Sequence, residues 1–133
     1  MLVLSPESVA FEGEAWPAVE LIAIERIPKR EVVEVGDLGP HVVFVDVPER
    51  RVSVRVVRRI ERSELDSVKP GDAGELTFRA GFGRTDAGWS EVSLDAVVTR
   101  VTHDFEQSGV RRVVVMVAVS ADGIADPVRV EEV

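Results

Sequence analysis

Residues 41–59 read HVVFVDVPERRVSVRVVRR, and the fold class follows from this stretch. From His41 to Val47 the side chains alternate, with Val43, Val45 and Val47 on one side and Val42, Phe44 and Asp46 on the other. The pattern resumes after Pro48-Glu49-Arg50. There Val52, Val54 and Val56 share a face, while Arg51, Ser53, Arg55, Val57 and Arg59 share the opposite one. A period of two is that of a β-strand. Pro48-Glu49-Arg50 therefore reads as the bend of a hairpin between two strands. Valine supplies 28 of the 133 residues. A β-branched side chain loses rotamer freedom in a helix and packs well on a pleated sheet, so the bias extends over the whole chain.

Working outward, Ala18 to Ile27 alternates as a strand that Pro28 stops or confines to an edge. Glu31 to Val35 is a short continuation, closed by the turn cluster Gly36-Asp-Leu-Gly-Pro40. Ser63 to Ser67 is the one helical turn, with Ser63 as N-cap and Asp66 at the capping-box position. Leu76 to Phe82 is a strand with Leu76, Phe78, Ala80 and Phe82 inward, and residues 81–88 form a loop. Val92 to Phe105 breaks phase near Val97-Val98, as a bulged strand does. Val110 to Val119 is apolar on both sides after Arg111-Arg112, so it calls for cover on both faces. Ala121-Asp122-Gly123 is a turn, and Pro127 to Val130 a last short strand. The expected fold is mainly β: an about seven-stranded antiparallel β-sandwich or partly closed barrel with one short helix. It spans residues 1–133 as a single domain, with residues 1–17 available as an N-terminal arm.

Composition removes whole classes of function. Sixteen Lys and Arg against 24 Asp and Glu leave a net charge of −8. Such a surface repels phosphate, which argues against ordinary nucleic-acid or anionic-membrane binding. Cysteine is absent, so there is no thiolate metal site and no cysteine nucleophile. The start, MLVLSP, has no basic n-region, and no signal peptide is expected. No apolar run approaches the roughly 20 residues of a membrane-spanning helix.

Catalytic chemistry finds little material. Of two histidines, His41 follows Pro40, and His103 precedes Asp104, a carboxylate that could orient it. Neither Ser90 nor Ser108 sits in a nucleophile elbow. Gly81-Phe-Gly83 with Gly88 lacks the spacing of a phosphate loop. Trp16 and Trp89 are either ligand platforms or aromatics closing the ends of a core, the commoner use. Glu12 and Glu14, Asp122 and Asp126, and Glu131-Glu132 lack the alternating oxygen ligands of a calcium loop. Asp side chains bonding their own backbone explain the 122–126 segment without a metal. The expectation is a protein that is not an enzyme and that uses no cofactor.

What stands out is charge segregation. Arg50, Arg51, Arg55, Arg58, Arg59 and Arg62 crowd one segment of an acidic chain. Arg51, Arg55 and Arg59 share a strand face at steps of about 13 Å. They form either a solvated face paired with acids on a neighbouring strand or a basic surface meeting the acidic surface of another copy. The second arrangement is heterologous and generates rings or filaments. The doubly apolar strands pose a related question, because the short helix and loops, or a neighbouring subunit, must cover the extra face. Arg51, Arg55, Arg59, Val115 and Val117 are accordingly the candidate subunit-interface residues.

Three stretches carry a resemblance: GDLGPHVVFVDVPERRVSVRVVRR from Gly36 to Arg59, PGDAGELTF from Pro70 to Phe78, and VAVSADGIADPV from Val117 to Val128. Their order over residues 18–130 resembles the tail tube proteins of tailed bacteriophages and related prophage particles. The resemblance implies a β-sandwich or barrel that assembles as hexameric rings, stacked into a hollow tube for DNA delivery. It implies contacts with other copies and other tail proteins, synthesis in the bacterial cytoplasm and residence in the virion tail. Surplus negative charge on the lumen would let DNA slide through without specific binding. Other tail rings, such as a terminator or baseplate component, share this logic. A small ligand-binding or nucleic-acid-binding β-barrel, for instance of the OB type, is the rival, but it predicts a basic groove with exposed aromatics, and this chain has no Tyr and a net negative charge.

Overall fold

The computed structural model describes residues 1–81 and 88–132. Valine-rich alternation carries most of them into strands: β1 (Leu2–Leu4), β2 (Glu7–Phe11), β3 (Glu14–Ala15), β4 (Val19–Val35), β5 (Val42–Ile60), β6 (Ala73–Ala80), β7 (Ser90–Glu106), β8 (Gly109–Ala118) and β9 (Arg129–Glu132). All pair antiparallel in one sheet of order β1-β4-β5-β8-β7-β6-β2-β3, with β9 added to β7. The sheet is mainly β as expected, curls over one core, and does not close into a barrel.

The inward face follows strand parity. Ile22 and Ile24 on β4, Val54 and Val56 on β5, Val114 and Met116 on β8, Leu94 and Val98 on β7, and Leu76 and Phe78 on β6 are all essentially fully buried. Each such side chain contributes about 1.5–3 kcal/mol on burial, so this face holds the sheet in its curl. Val9, Phe11, Trp16 and Val3 from the N-terminal segment close the core. That segment lies along β4 and β6, and the Met1 amino group donates to the Ile24 carbonyl at 2.7 Å. The phase break in β7 is a bulge at Thr99, between the pairs Val98–Met116 and Arg100–Val115.

Three local expectations are corrected. The chain does not turn at Pro48-Glu49-Arg50: β5 runs without interruption from Val42 to Ile60, and the hairpin turn is the 36–41 cluster. Pro48 survives inside the strand because the ladder steps from Arg30–Glu49 to Val32–Asp46, leaving Val47 and Pro48 together opposite Glu31. A bulge is where a residue without an N–H fits. Pro28, by contrast, stays within β4 with no strand on its other side among the described residues, which is the edge position the sequence allows. The helical turn is a 3₁₀ turn, Arg62–Glu64, whose N-cap is Glu61 with no side-chain cap bond, so Ser63 does not cap it. Strand count rises from about seven to nine: Leu2–Leu4, Glu7–Phe11 and Glu14–Ala15 also pair, while the segments on either side of Pro28 and of Pro48 each join into one strand. Of the expected loop at 81–88, residues 82–87, including the inward position expected for Phe82, lie outside the described residues.

Candidate functional site

The longest strands outrun the sheet. β1 pairs with β4 only through Leu21, Ile22 and Ala23, and β8 pairs with β5 only from Ser53 onward. Residues 26–52 therefore form a two-stranded ribbon with no third strand on either edge among the described residues. Ten residue steps from Val42 to Val52 make it about 33 Å long. Its cross-strand pairs include Val33–Val45, Glu34–Phe44 and Val35–Val42. Val33, Val35, Leu38, Val42, Val43, Phe44 and Val45 are all exposed, Leu38 at the tip completely so. Valines belong on a sheet surface that is half covered, and among the described residues no other element covers these.

Charge divides the ribbon along its length. Residues 31–49 hold Glu31, Glu34, Asp37, Asp46 and Glu49 with no Lys or Arg. The base holds Arg26, Lys29, Arg30, Arg50 and Arg51. Arg26 reaches Asp126 through Nε and Nη2 at 3.2 and 2.9 Å, whereas Arg50 and Arg51 make no ion pair among the described residues.

The expected interface residues do share the outer face of the sheet. Register rows cross it: Leu4, Leu21, Val57, Val113 and Thr102 lie side by side, as do Leu2, Ala23, Arg55, Val115 and Arg100. Val57 is sealed by these neighbours, while Val115 and Val117 are half-buried and Leu2 and Leu4 are exposed. The 3₁₀ turn packs on the opposite, inner side through Arg58 and Arg112, so it offers this row no cover. The arginines differ from one another. Arg59 pairs with Glu20 at 3.2 Å and Glu106 at 3.7 Å, the arrangement of a solvated face with acids on neighbouring strands. Arg55 and Arg51 are exposed and form no ion pair among the described residues.

Arg58 belongs to neither group. It and Arg112 are register partners on the inner face, 3% and 0% exposed, and each guanidinium carbon lies 5.6 Å from the Trp16 ring centroid. Arg58 donates to the Pro17 carbonyl at 3.1 Å and to the Glu64 carboxylate. Arg112 donates to the Glu64 carbonyl at 3.2 Å and to Ser67 Oγ at 2.8 Å, leaving its Nε and Nη2 without partners. Burial lowers both guanidinium pKa values, and the Arg58 charge lowers that of Arg112 further, while Glu64 opposes both shifts. Parity from Val52 already puts Arg58 on the inner face, but Arg111-Arg112 reads as a polar strand start, so the pairing of Arg58 with Arg112 is not expected from sequence.

The remaining candidates separate. His103 and Asp104 are consecutive on β7, so they point to opposite faces, opposite Arg112 and Arg111 respectively. His103 is thus not oriented by Asp104. His41 is exposed at the ribbon tip. Trp16 is buried and tilted against Phe11 at 5.2 Å, whereas Trp89 is 42% exposed. Asp122 Oδ1 accepts from the Ile124 and Ala125 amides at 2.8 and 2.9 Å, and Asp126 Oδ1 from Val128 at 3.0 Å. These bonds, led by Ala125 for Asp122 and by Val128 for Asp126, hold both carboxyls below their usual range. The side chains thus stabilise their own turn. No family model matches this chain, and no curated protein matches it.

Proposed function

We propose that this chain is a structural subunit that assembles with copies of itself: a phage-type tail tube subunit, forming stacked hexameric rings around a DNA-conducting lumen. One observation carries the reading. The ribbon at 26–52 displays seven large apolar side chains between Val33 and Val45 on strands whose edges are open. An isolated two-stranded ribbon is marginal in water, and open edges template pairing with another chain. A second copy supplies both the missing apolar cover and the missing strand partners. The outer row through Val115 and Val117 gives a broad second contact, and Arg51 and Arg55 beside it meet the acidic surface that a chain of net charge −8 presents. Lumen-facing acids would leave phosphate nothing to grip. The same logic serves another tail ring, such as a terminator or baseplate component.

The test is light scattering and negative-stain microscopy on the purified protein. Rings or tubes with a central hole are expected, and Val115→Glu with Val117→Glu should disperse them while leaving far-UV circular dichroism unchanged. A protein that stays monomeric at all concentrations overturns the reading.

A further inference from the structure

At the base of the ribbon lies a groove of about 630 Å³ between β5 and the 119–127 loop, lined by Arg26, Arg50, Arg51, Val52, Val119 and Ile124. Its floor and rim are apolar: Ile124 is 91% and Val119 49% exposed, and Val52 closes it below. Its charge is basic. Asp126 occupies Arg26, while Arg50 and Arg51 remain without a carboxylate among the described residues. The groove thus asks for an exposed apolar side chain with a carboxylate next to it.

The chain presents that combination at the other end of the ribbon. Leu38, wholly exposed, stands at the apex beside Asp37. No Lys or Arg lies between residues 31 and 49 to oppose docking on a basic surface. The tip cannot enter its own groove, because the ribbon holds the two about 33 Å apart. Between copies of net charge −8, long-range repulsion is the general rule, and an acidic tip meeting a basic groove is the place where it reverses.

We propose that the ribbon tip of one copy, Asp37-Leu38, seats in the Arg50–Arg51 groove of a second copy, with Leu38 against Val119 and Ile124. The contact rests on the self-assembly reading above and names its surfaces. It is heterologous if the ribbons run in the same direction, so that each copy receives one tip and offers another, with a repeat near the ribbon length of about 33 Å. It is closed if two ribbons lie antiparallel, each tip in the other's groove.

The absence of cysteine makes the test direct. Leu38→Cys and Ile124→Cys are prepared singly and together, oxidised mildly, and run on non-reducing gels, with light scattering on the wild type in parallel. Both positions are fully exposed, so folding is not at risk. The expected result is a mixed Leu38→Cys/Ile124→Cys crosslink that forms about tenfold faster than either homodimer, because docking raises the effective concentration of the two thiols. It should slow in high salt and with Arg50→Glu and Arg51→Glu. In the double-cysteine chain, a ladder of crosslinked multimers supports head-to-tail docking and open assembly together. A crosslinked dimer that extends no further supports the contact and overturns the tube reading. Assembly of the wild type without preferential mixed crosslinking overturns the contact and leaves the tube reading standing. Faster Leu38→Cys homodimers mean that tips meet tips, which also overturns it.

Discussion

Glu64→Gln isolates the electrostatics of the buried arginine pair, because Gln keeps an acceptor for Arg58 and removes only the charge. Arg58 and Arg112 are buried side by side against Trp16, and Glu64 is the carboxylate bonded to the cluster. Removing one partner of a buried ion pair costs about 3–5 kcal/mol. The Glu64 side chain is 33% exposed, so water screens part of the loss and the lower end applies, about 3 kcal/mol. Unfolding entropy of about 2.1 cal/mol/K per residue over this chain length gives about 0.28 kcal/mol/K, so Tm should fall by about 11 °C. Arg112→Met is the informative counterpart. It forfeits two hydrogen bonds but removes a like charge from beside Arg58 and two unpartnered nitrogens, for a net change within about 1 kcal/mol. In the double variant one cation remains where there were two, so Glu64→Gln should cost at least about 1 kcal/mol less in the Arg112→Met background. Thermal and urea unfolding followed by far-UV circular dichroism at low protein concentration measure all four corners of this cycle. A Glu64→Gln loss under about 1 kcal/mol, or additive effects, would refute the claim that charge balance holds this end of the core.

Two further expectations concern the turns. In carboxyl-detected NMR titrations Asp122 and Asp126 should show midpoints below the ordinary 3.8, because their folded forms are held ionised by backbone amides. A depressed folded pKa contributes stability that is present above pH 3.8 and lost as pH falls through the folded value, so the 120–128 segment should loosen only in acid. Arg26→Met should raise the Asp126 midpoint part of the way, since Val128 N–H is the larger influence, and leave Asp122 in place. Gly109, at φ +136° in the β7–β8 turn, should lose about 1–3 kcal/mol on change to Ala, read as a lower urea midpoint at unchanged m.

Much of the sheet was legible because its cause is local. Alternation in 52–56, 92–98 and 110–116 puts the right residues inside, and the β7 bulge shows as a slip of phase. The ribbon was not legible, because Pro48 is a strong local signal for a bend and its meaning depends on whether a neighbouring strand needs its N–H. The bulge opposite Glu31 settles that only in three dimensions. The better signal was the run 31–49, valines on both faces with five acids and no cation, which suits a segment that finds its partner elsewhere. Arg58 and Arg59 show the same boundary. Adjacent on one strand, they face opposite sides, so one is a core residue and the other a surface ion pair, and only parity counted from Val52 distinguishes them. For the same reason Arg59→Glu is a poor probe of assembly: it would place a third acid beside Glu20 and Glu106, whereas Arg51 and Arg55 have no such partners to offend.

The β4–β5 pair behaves as a cantilever, with one end built into the sheet and the other projecting from it. Its inner half is fixed between β1 and β8, with Val54 and Val56 in the core and the Arg58–Trp16–Arg112 cluster locking the far end. Beyond the Arg26–Asp126 pair and the groove at its base, the outer half has no strand pairing to the rest of the sheet among the described residues, so substitutions from Glu31 to Val47 should leave the folded sheet intact. Apolar residues on the sheet proper are partly covered by their row neighbours, as Val57 is by Leu21 and Val113, although Leu2 and Leu4 at the edge of that face stay exposed. On the projecting ribbon no such neighbours flank them among the described residues, and under the self-assembly proposed above it is the second copy that would bury them.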